Sequence, residues 1–297
     1  MNIRPELAMK PTPTPLPESI VLDDDSVPGL AAIPEGPRNS CDDPRRARPA
    51  VDPYRQMYRV MRDLRTVVTE RNRSREAMHQ LQRESIERLA LAAARGRREA
   101  LEHGLRVGAI AASIAHTLGA PRRWCDELFD AARTHDIGNL AVPESILTKR
   151  GRLEPQEWAA IRRHPLDGAR ILGAASDPLH ALAAEVALNH HEKWDGSGYP
   201  AGREGSNIPL SGRIVAVADF IDALGVRTSY RNALDEAEIF TLLDFAAGMQ
   251  FDPAIVTAMH HVRPQLPRIR ELAALHAAQA GNGSPQPLWW RALIAHG

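Results

Sequence analysis

The hydrophobic positions of this 297-residue chain follow a helical period over most of its length. Between Gly and Pro punctuation, apolar residues recur at steps of three and four in four segments, 105–118, 122–134, 155–171 and 179–190. The run IVAVADFIDAL at 214–224 could pass for a buried strand, but it is rich in Ala and has no partner strand nearby, so a helix is predicted. A further helix is predicted over 268–278, before a short apolar end that holds Trp289 and Trp290. These patterns indicate an all-α protein.

The first fifty residues differ from the rest in composition. Eleven of the 23 prolines fall within the first 53 residues, among Ser, Thr, Gly and acidic residues. Proline cannot donate a backbone hydrogen bond, and the segment has too little apolar surface to offset the entropy of ordering it. We therefore predict that residues 1–50 form a disordered Pro-rich tail, or alternatively a segment that orders against a partner.

A long basic helix is predicted over residues 52–98, because the stretch from Tyr54 onwards contains no proline and only one glycine, Gly96. Apolar residues follow alternating steps of three and four at Tyr54, Met57, Met61, Leu64, Val68, Met78 and Leu89. The same seam is interrupted at Arg71, Arg75, Gln82 and Ser85. Such an imperfect heptad fits either a coiled coil that forms a homodimer or a helix packed on its own domain.

Charge and composition exclude several classes of protein. Lys+Arg and Asp+Glu are both 37, although residues 45–98 carry 15 basic and 6 acidic side chains, a net charge of +9. The basic segment lacks interleaved aromatic residues, so we expect no nucleic-acid polymer as partner. No apolar stretch approaches the roughly 20 residues of a membrane span, and the start lacks a signal-peptide core, so a cytoplasmic protein is expected. Cys41 and Cys125 show no paired spacing, which excludes a disulfide scaffold.

Histidines and carboxylates carry the candidate chemistry. Seven of the twelve histidines lie between His103 and His191. Asp219 stands within an apolar helix, where an unpaired charge is costly unless a cation, a hydrogen-bond set or a proton compensates it. The helical pattern offers five histidines and three carboxylates to a shared site: Glu99, His103, His135, Asp136, His164, His190, His191 and Asp219. Imidazole and carboxylate ligands without cysteine favour two or three divalent ions such as iron or manganese.

The order of these motifs resembles the HD-GYP family, a branch of the HD metal-dependent phosphohydrolases whose characterised members hydrolyse cyclic di-GMP. The resemblance rests on HD at 135–136, then His164, then HHEKWDGSGYP at 190–200, then the Asp219 helix. It implies an HD-type helical bundle with an HD-GYP extension, preceded by the long N-terminal helix. The catalytic domain would span residues 99–263, and residues 264–297 would form a C-terminal helical extension.

The resemblance also implies a role for each residue of the set. His135 and Asp136 match the HD pair, and Asp136 would bridge two metals. His164, His190 and His191 match ligands of the second metal, and Asp219 matches a ligand of the first. Glu99 and His103 match the pair that accompanies a third metal in trinuclear members. Two metals about 3.5–4 Å apart would clamp a phosphodiester, and a metal-bridged hydroxide would attack its phosphorus. The product would be pGpG, GMP or both.

The family's loop beside the active site, which is implicated in contacts with partner proteins, matches Asp195, Gly196, Gly198, Tyr199 and Pro200. From the residues alone, Tyr199 is also interpreted as an anchor that packs the loop on the domain. Glu192 is equally well interpreted as an outer acceptor for a ligand histidine or as an ordinary surface residue. Arg213 is predicted to pack or pair structurally.

Two departures from the family pattern concern the substrate. Asn139 stands where the family usually has Lys near the scissile phosphate. The family's earlier arginine is either replaced by Thr228 or shifted to Arg227, whereas Tyr230 and Arg231 match. Asn139, Tyr230 and Arg231 are therefore the candidate substrate-binding residues. The favoured function is a cyclic di-GMP phosphodiesterase. The alternatives are a catalytically weak or inactive module that acts as a cyclic-dinucleotide receptor or signalling partner, and a phosphohydrolase of another cyclic dinucleotide.

Overall fold

The computed structural model describes residues 53–173, 177–226, 233–279 and 288–294. The chain divides into two compact units, Met1–Met61 and Arg62–Gly297. The described ranges contain twelve α-helices and no named strand: α1 (Pro53–Ala94), α2 (Arg98–Thr117), α3 (Arg122–Ala132), α4 (Glu144–Leu147), α5 (Pro155–Ile161), α6 (His164–Leu172), α7 (Pro178–Asn189), α8 (Leu210–Gly225), α9 (Glu236–Ala246), α10 (Pro253–Val262), α11 (Leu266–Gln279) and α12 (Arg291–Ile294). The predicted all-α class is confirmed, and the predicted tail, 1–50, lies outside the described residues.

Helix α2 is the centre of the second unit. Every residue from Gly104 to Ala115 is buried, and the helix packs against α3, α8, α10 and α11. Most of these buried residues are small, which lets neighbouring backbones approach closely. At Gly108 a Cβ atom would lie 2.6 Å from the carbonyl oxygen of Phe129 on α3, so a larger residue has no room there. The small residues of α2 therefore set the helix spacing around the site.

The last turns of α1 lie within the second unit and pack on its other helices. Ile86, Ala90 and Ala94 are buried, and Arg83 donates to Asp130 on α3 at 2.6 Å. The Ser85 Oγ atom also lies 3.2 Å from the Nε2 atom of His180, on α7. Packing of the helix on its own domain, one of the two interpretations of the sequence, therefore applies to the end of α1.

The predicted helices agree with the structure at most positions but not at all. The run at 214–224 is a helix, part of α8, as predicted. The single helix predicted over 155–171 is wrong, because α5 ends at Ile161 and α6 begins at His164. Pro165 in the first turn of α6 accounts for the break, since proline cannot continue a preceding helix but suits a new first turn. The break places His164 at the beginning of a helix, whereas the sequence pattern indicated the end of one.

The aromatic end of the chain caps the helical core. Trp289 and Trp290 are buried, and the Trp289 ring meets Phe129 edge-on at 5.7 Å between centroids. The same ring stacks on His276 of α11.

No described helix combines the length and the apolar character that crossing a bilayer requires.

Gly108→Ala should destabilise the fold by about 1–3 kcal/mol, because the new methyl group meets the Phe129 carbonyl oxygen and α3 must shift. Gly104→Ala is the matched control, since its Cβ would lie 3.1 Å from the Arg133 carbonyl oxygen and would also gain helix propensity of about 1 kcal/mol. Chemical denaturation of both variants measures the difference. Equal stability of the two variants would contradict the close packing of α2 on α3.

Candidate metal centre

Two groups of side chains in the described ranges could each hold a metal ion. The first is His103 of α2, His135 after α3 and Asp219 of α8, whose ligand atoms all lie within 4.8 Å of one another. The His103 Nε2 atom is 3.4 Å from Asp219 Oδ1, and His135 Nε2 is 3.8 Å from the same oxygen. Three elements distant in sequence thus aim two imidazoles and one carboxylate at one point.

The ring of His135 is held in the orientation that a metal ligand needs. Its Nδ1 atom donates to the carbonyl oxygen of Ala132 at 2.8 Å. The lone pair on Nε2 is therefore available to a metal ion. This Nε2 atom is buried and has no hydrogen-bond partner among the described residues. A buried imidazole nitrogen without a partner is costly, so the geometry fits a cation at this point.

His103 is oriented by a buried ion pair that was not predicted from the sequence. Its Nδ1 atom lies 2.7 Å from Asp222 Oδ2, and Asp222 accepts two hydrogen bonds from Arg106, at 2.6 and 3.0 Å. Burial alone would lower the pKa of His103, but the hydrogen bond and charge of Asp222 and the charge of Asp219 raise it to about 9. The spacing was available in the sequence, since Asp219 and Asp222 are three apart on one helix and face the same side.

The second group is Asp136, His164, His190 and His191, again with all ligand atoms within 4.8 Å. Backbone carbonyls fix two of the rings: His164 Nδ1 donates to Ile161 at 2.8 Å, and His190 Nδ1 donates to Ala187 at 2.9 Å. Both rings consequently turn Nε2 inward, where the two nitrogens lie 3.2 Å apart. The outer acceptors of these ligand histidines are thus mainly main-chain atoms rather than carboxylates.

Asp136 connects the two groups. Its Oδ1 atom lies 3.3 Å from His164 Nε2 and 3.8 Å from His190 Nε2, while its Oδ2 atom lies 3.7 Å from His135 Nε2. Burial would raise the pKa of Asp136, but the charge of His135 and hydrogen bonds from His164 and His190 hold it well below its usual range. An ionised carboxylate with one oxygen toward each group has the arrangement of a bridging ligand.

His191 lies against the loop that follows it. Its ring stacks on Tyr199 at 4.8 Å between centroids, and the guanidinium of Arg162 covers Tyr199 at 4.5 Å. Burial, together with the charges of His190 and His164, lowers the pKa of His191 to about 2, so this ring is neutral at neutral pH. The predicted role of Tyr199 as an anchor packed on the domain is confirmed, and the ring also supports a member of the second group.

Both interpretations of Glu192 are wrong. The side chain is buried, and its two carboxylate oxygens accept hydrogen bonds from the backbone amides of Ala201 and Arg203, at 2.8 and 2.9 Å. Glu192 therefore ties down the end of the loop rather than holding a histidine. Its position beside two histidines in the sequence suggested the outer-acceptor role, because the fold of the loop could not be read from that spacing.

Two glycines make the close approaches around the site. A Cβ atom at Gly138 would lie 1.9 Å from the carbonyl oxygen of His164, so only glycine lets the turn after Asp136 meet α6. A Cβ atom at Gly198 would lie 2.3 Å from the amide of Lys193. In the same loop Asp195 accepts from the amide and hydroxyl of Ser197, forming a local turn. These contacts fold the loop tightly onto the segment that carries His190 and His191.

The remaining predicted residues lie at the margin of the centre or outside the described ranges. Glu99 is exposed one turn before His103 and belongs to neither group, so its role stays a prediction. Asn139 is half-buried, and its carbonyl oxygen accepts a hydrogen bond from Arg95 at 2.8 Å. Tyr230, Arg231 and Thr228 lie outside the described residues.

The prediction that Arg213 is structural is confirmed. Its guanidinium donates to the Ile208 carbonyl oxygen at 2.9 Å and to Asp252 at 2.6 Å, and it covers the ring of Trp194. The carboxylate of Asp252 is also the N-cap of α10, where it accepts from the amide of Ala254. Arg213 therefore joins α8 to α10 and the loop before α8.

Asp222→Asn should weaken metal binding by the first group by about 10–100-fold, because His103 loses the charged acceptor that orients its ring. Asp244→Asn is the matched control, since Asp244 also pairs with a histidine, His260, but on the surface at 2.7 Å. Metal titration with a calorimetric readout measures both affinities, and circular dichroism checks that each variant is folded. Equal affinity of the two folded variants would contradict the role of Asp222.

Comparison with known proteins identifies the family of the chain. The family model described as "HD domain" matches residues 87–255, more than half of the chain. A "3'3'-cGAMP-specific phosphodiesterase 2" from Vibrio cholerae is 39% identical over 60% of this chain and 34% of its own length. A "Cyclic di-GMP phosphodiesterase" from Thermotoga maritima is 41% identical over 54% of this chain and 44% of its own length. The chain thus spans less than half the length of these curated relatives.

A solved structure described as an HDG"Y"P protein from Bdellovibrio bacteriovorus is also similar. It is 19% identical to this chain, with a TM-score of 0.46, and the match covers 56% of this chain and 53% of the solved one.

Proposed function

The chain belongs to the HD-domain family and carries the GYP run of its HD-GYP branch, and on that premise we propose that it is a metal-dependent phosphodiesterase that hydrolyses cyclic di-GMP to pGpG, GMP or both. The observation that carries the proposal is the position of Asp136, whose two carboxylate oxygens lie within 3.3–3.8 Å of ring nitrogens from both groups. A carboxylate shared by two ligand groups would hold two ions close together, as a two-metal hydrolytic centre requires.

The proposed ligands divide between the two groups. His103, His135 and Asp219 would hold one ion, His164, His190 and His191 would hold the other, and Asp136 would bridge them. Glu99 remains the proposed addition for a third ion. The absence of cysteine from both groups favours iron or manganese over structural zinc. When bound, such ions lower the pKa of coordinated water and neutralise the charge that develops on a phosphodiester.

The chain's own residues would keep the ligand atoms in place during the reaction. The carbonyl oxygens of Ala132, Ile161 and Ala187 fix the tautomers of three histidines, so their Nε2 lone pairs face inward without further rearrangement. The ring of Tyr199 limits the movement of His191. Such preorganisation is the main contribution that a protein makes to electrostatic catalysis of phosphoryl chemistry.

The substrate is proposed to be a cyclic dinucleotide, with cyclic di-GMP favoured. Cyclic di-GMP phosphodiesterases occur repeatedly among the relatives, including the one from Thermotoga maritima. The second candidate is 3'3'-cGAMP, because a relative from Vibrio cholerae that carries this specificity in its name is 39% identical. Tyr230, Arg231 and Asn139 are the proposed substrate-binding residues, and the loop at 195–200 is the proposed contact for a partner protein.

Asp136→Ala should abolish turnover of cyclic di-GMP, because both groups lose their shared ligand. Asp167→Ala on α6 is the matched control, since the ion pairs of Asp167 within the described ranges are with two surface arginines, Arg163 and Arg170. The assay uses protein purified without oxygen, with metal content measured beside product formation, and offers cyclic di-GMP and 3'3'-cGAMP in parallel. If the wild type hydrolysed 3'3'-cGAMP but not cyclic di-GMP, 3'3'-cGAMP would replace cyclic di-GMP as the proposed substrate.

A fully metallated wild-type protein that binds a cyclic dinucleotide but releases no product would favour the receptor alternative over the enzyme. Turnover by Asp136→Ala at the wild-type rate would show that the centre is assigned to the wrong residues.

Asn139→Lys should raise the turnover rate, by roughly tenfold, because a cation would then stand where negative charge develops on the phosphate. Arg95 already brings a guanidinium to the backbone of residue 139, so the fold tolerates positive charge at this loop. Steady-state kinetics of the variant against the wild type measure the change in kcat. Unchanged kinetics would show that position 139 does not limit the reaction.

A further inference from the structure

Exposed apolar side chains form a row on α1 between residues 64 and 81, before the buried residues at the end of the helix. Leu64, Val67, Met78 and Leu81 are each more than half exposed, between 56% and 62%. Large apolar residues scattered singly are ordinary on protein surfaces, but these four lie along one helix face as two pairs, with polar residues between the pairs. A helix of this length gains little stability from propensity alone, so such a face needs a partner.

The row has the spacing of a coiled coil. Steps of three and four place Leu64, Arg71 and Met78 at the a positions of a heptad and Val67, Ser74 and Leu81 at its d positions. In the sequence the same spacing extends back to Val60 and Met57. A helix whose apolar residues repeat every 3.5 residues packs best against a second helix with the same repeat, because the two can supercoil around each other.

This seam differs from the one predicted from the sequence. The predicted seam shares the a positions but pairs them with Met61, Val68, Arg75, Gln82 and Leu89. In the structure Gln82 and Leu89 are half-buried on the side that packs on the other helices of their own unit, whereas Leu81 is exposed. The chain's own domain therefore covers the predicted seam at its end, and the face one residue away is left for another molecule.

We infer that residues 57–81 of α1 form a parallel, in-register, two-stranded coiled coil with a second copy of this chain. Charge complementarity selects this arrangement. In a parallel dimer Glu70 occupies a g position and faces Arg75 of the partner at e, which gives two symmetric attractive pairs. In the antiparallel arrangement that pairs Leu64 with Ser74, the two copies of Glu70 would face each other and repel.

Arg71 at an a position limits the number of strands. In a two-stranded coil its long side chain can leave the seam and reach Glu70 of the partner, which precedes it at the edge of the interface. With three or more strands the a layer is enclosed, and each guanidinium would be buried beside the others without enough counter-charge. A polar residue at a single a position also fixes the register of the two helices.

The first test is the molar mass of the full chain by size-exclusion chromatography with light scattering. The wild type should have about twice the mass of one chain, and Val67→Asp should reduce it to that of one chain. Thr66→Asp is the matched control, because Thr66 is exposed on the adjacent outer face of the same helix and should leave the dimer intact. A wild-type mass of one chain, or of three or more chains, would overturn the proposal.

The second test distinguishes the parallel from the antiparallel arrangement. Glu70→Arg and Arg75→Glu should each weaken the dimer, by roughly fivefold in dissociation constant, and the double variant should restore it. In a Cys41→Ser background, Ser74→Cys should cross-link the two chains under oxidising conditions, because residue 74 meets its own copy only when the helices are parallel and in register. Arg73→Cys, on the outer face, is the control. A dimer that persists in solution but is not cross-linked through residue 74 would overturn the parallel assignment.

Discussion

The centre depends on one electrostatic constraint, which is that imidazole lone pairs and carboxylates converge within a few ångströms of one another. His164 and His190 bring their Nε2 atoms to 3.2 Å, and Asp136 lies within 3.8 Å of both. Neutral imidazole nitrogens repel one another at such a distance unless a proton or a metal ion lies between them. The raised pKa of His103 and the lowered pKa of His191 show how unevenly protons alone would satisfy the cluster.

The fold meets this constraint by allowing unusually close contacts between backbones. Gly108 lets α3 approach α2, and Gly138 lets the turn that carries Asp136 approach the start of α6. Carbonyl oxygens at the ends of α3, α5 and α7 then orient the histidines that follow them. Helix ends supply unsatisfied carbonyls, so the positions just after a helix are suitable places for ligand histidines. The same helix ends thus determine both the packing and the orientation of the ligands.

The fold and the site are most predictable from the sequence where the signal is local. The period of apolar residues predicted the helices, and the motif order predicted that His135, Asp136, His164, His190 and His191 would meet. Features that depend on residues distant in the chain are not predictable in this way. The break between α5 and α6, the carboxylate of Asp222 behind His103 and the amides bound by Glu192 follow from tertiary contacts. In α1, the face that packs on the domain differs by one residue from the predicted seam, and periodicity cannot resolve so small a rotation.

The central claim is that Asp136 joins two metal sites into one centre. The most direct measurement is a crystal structure of manganese-loaded protein with anomalous scattering recorded at the manganese edge. The account predicts two strong peaks about 3.5–4 Å apart, each coordinated by one group and both bound to Asp136. A single peak, or two peaks that do not share Asp136, would contradict it.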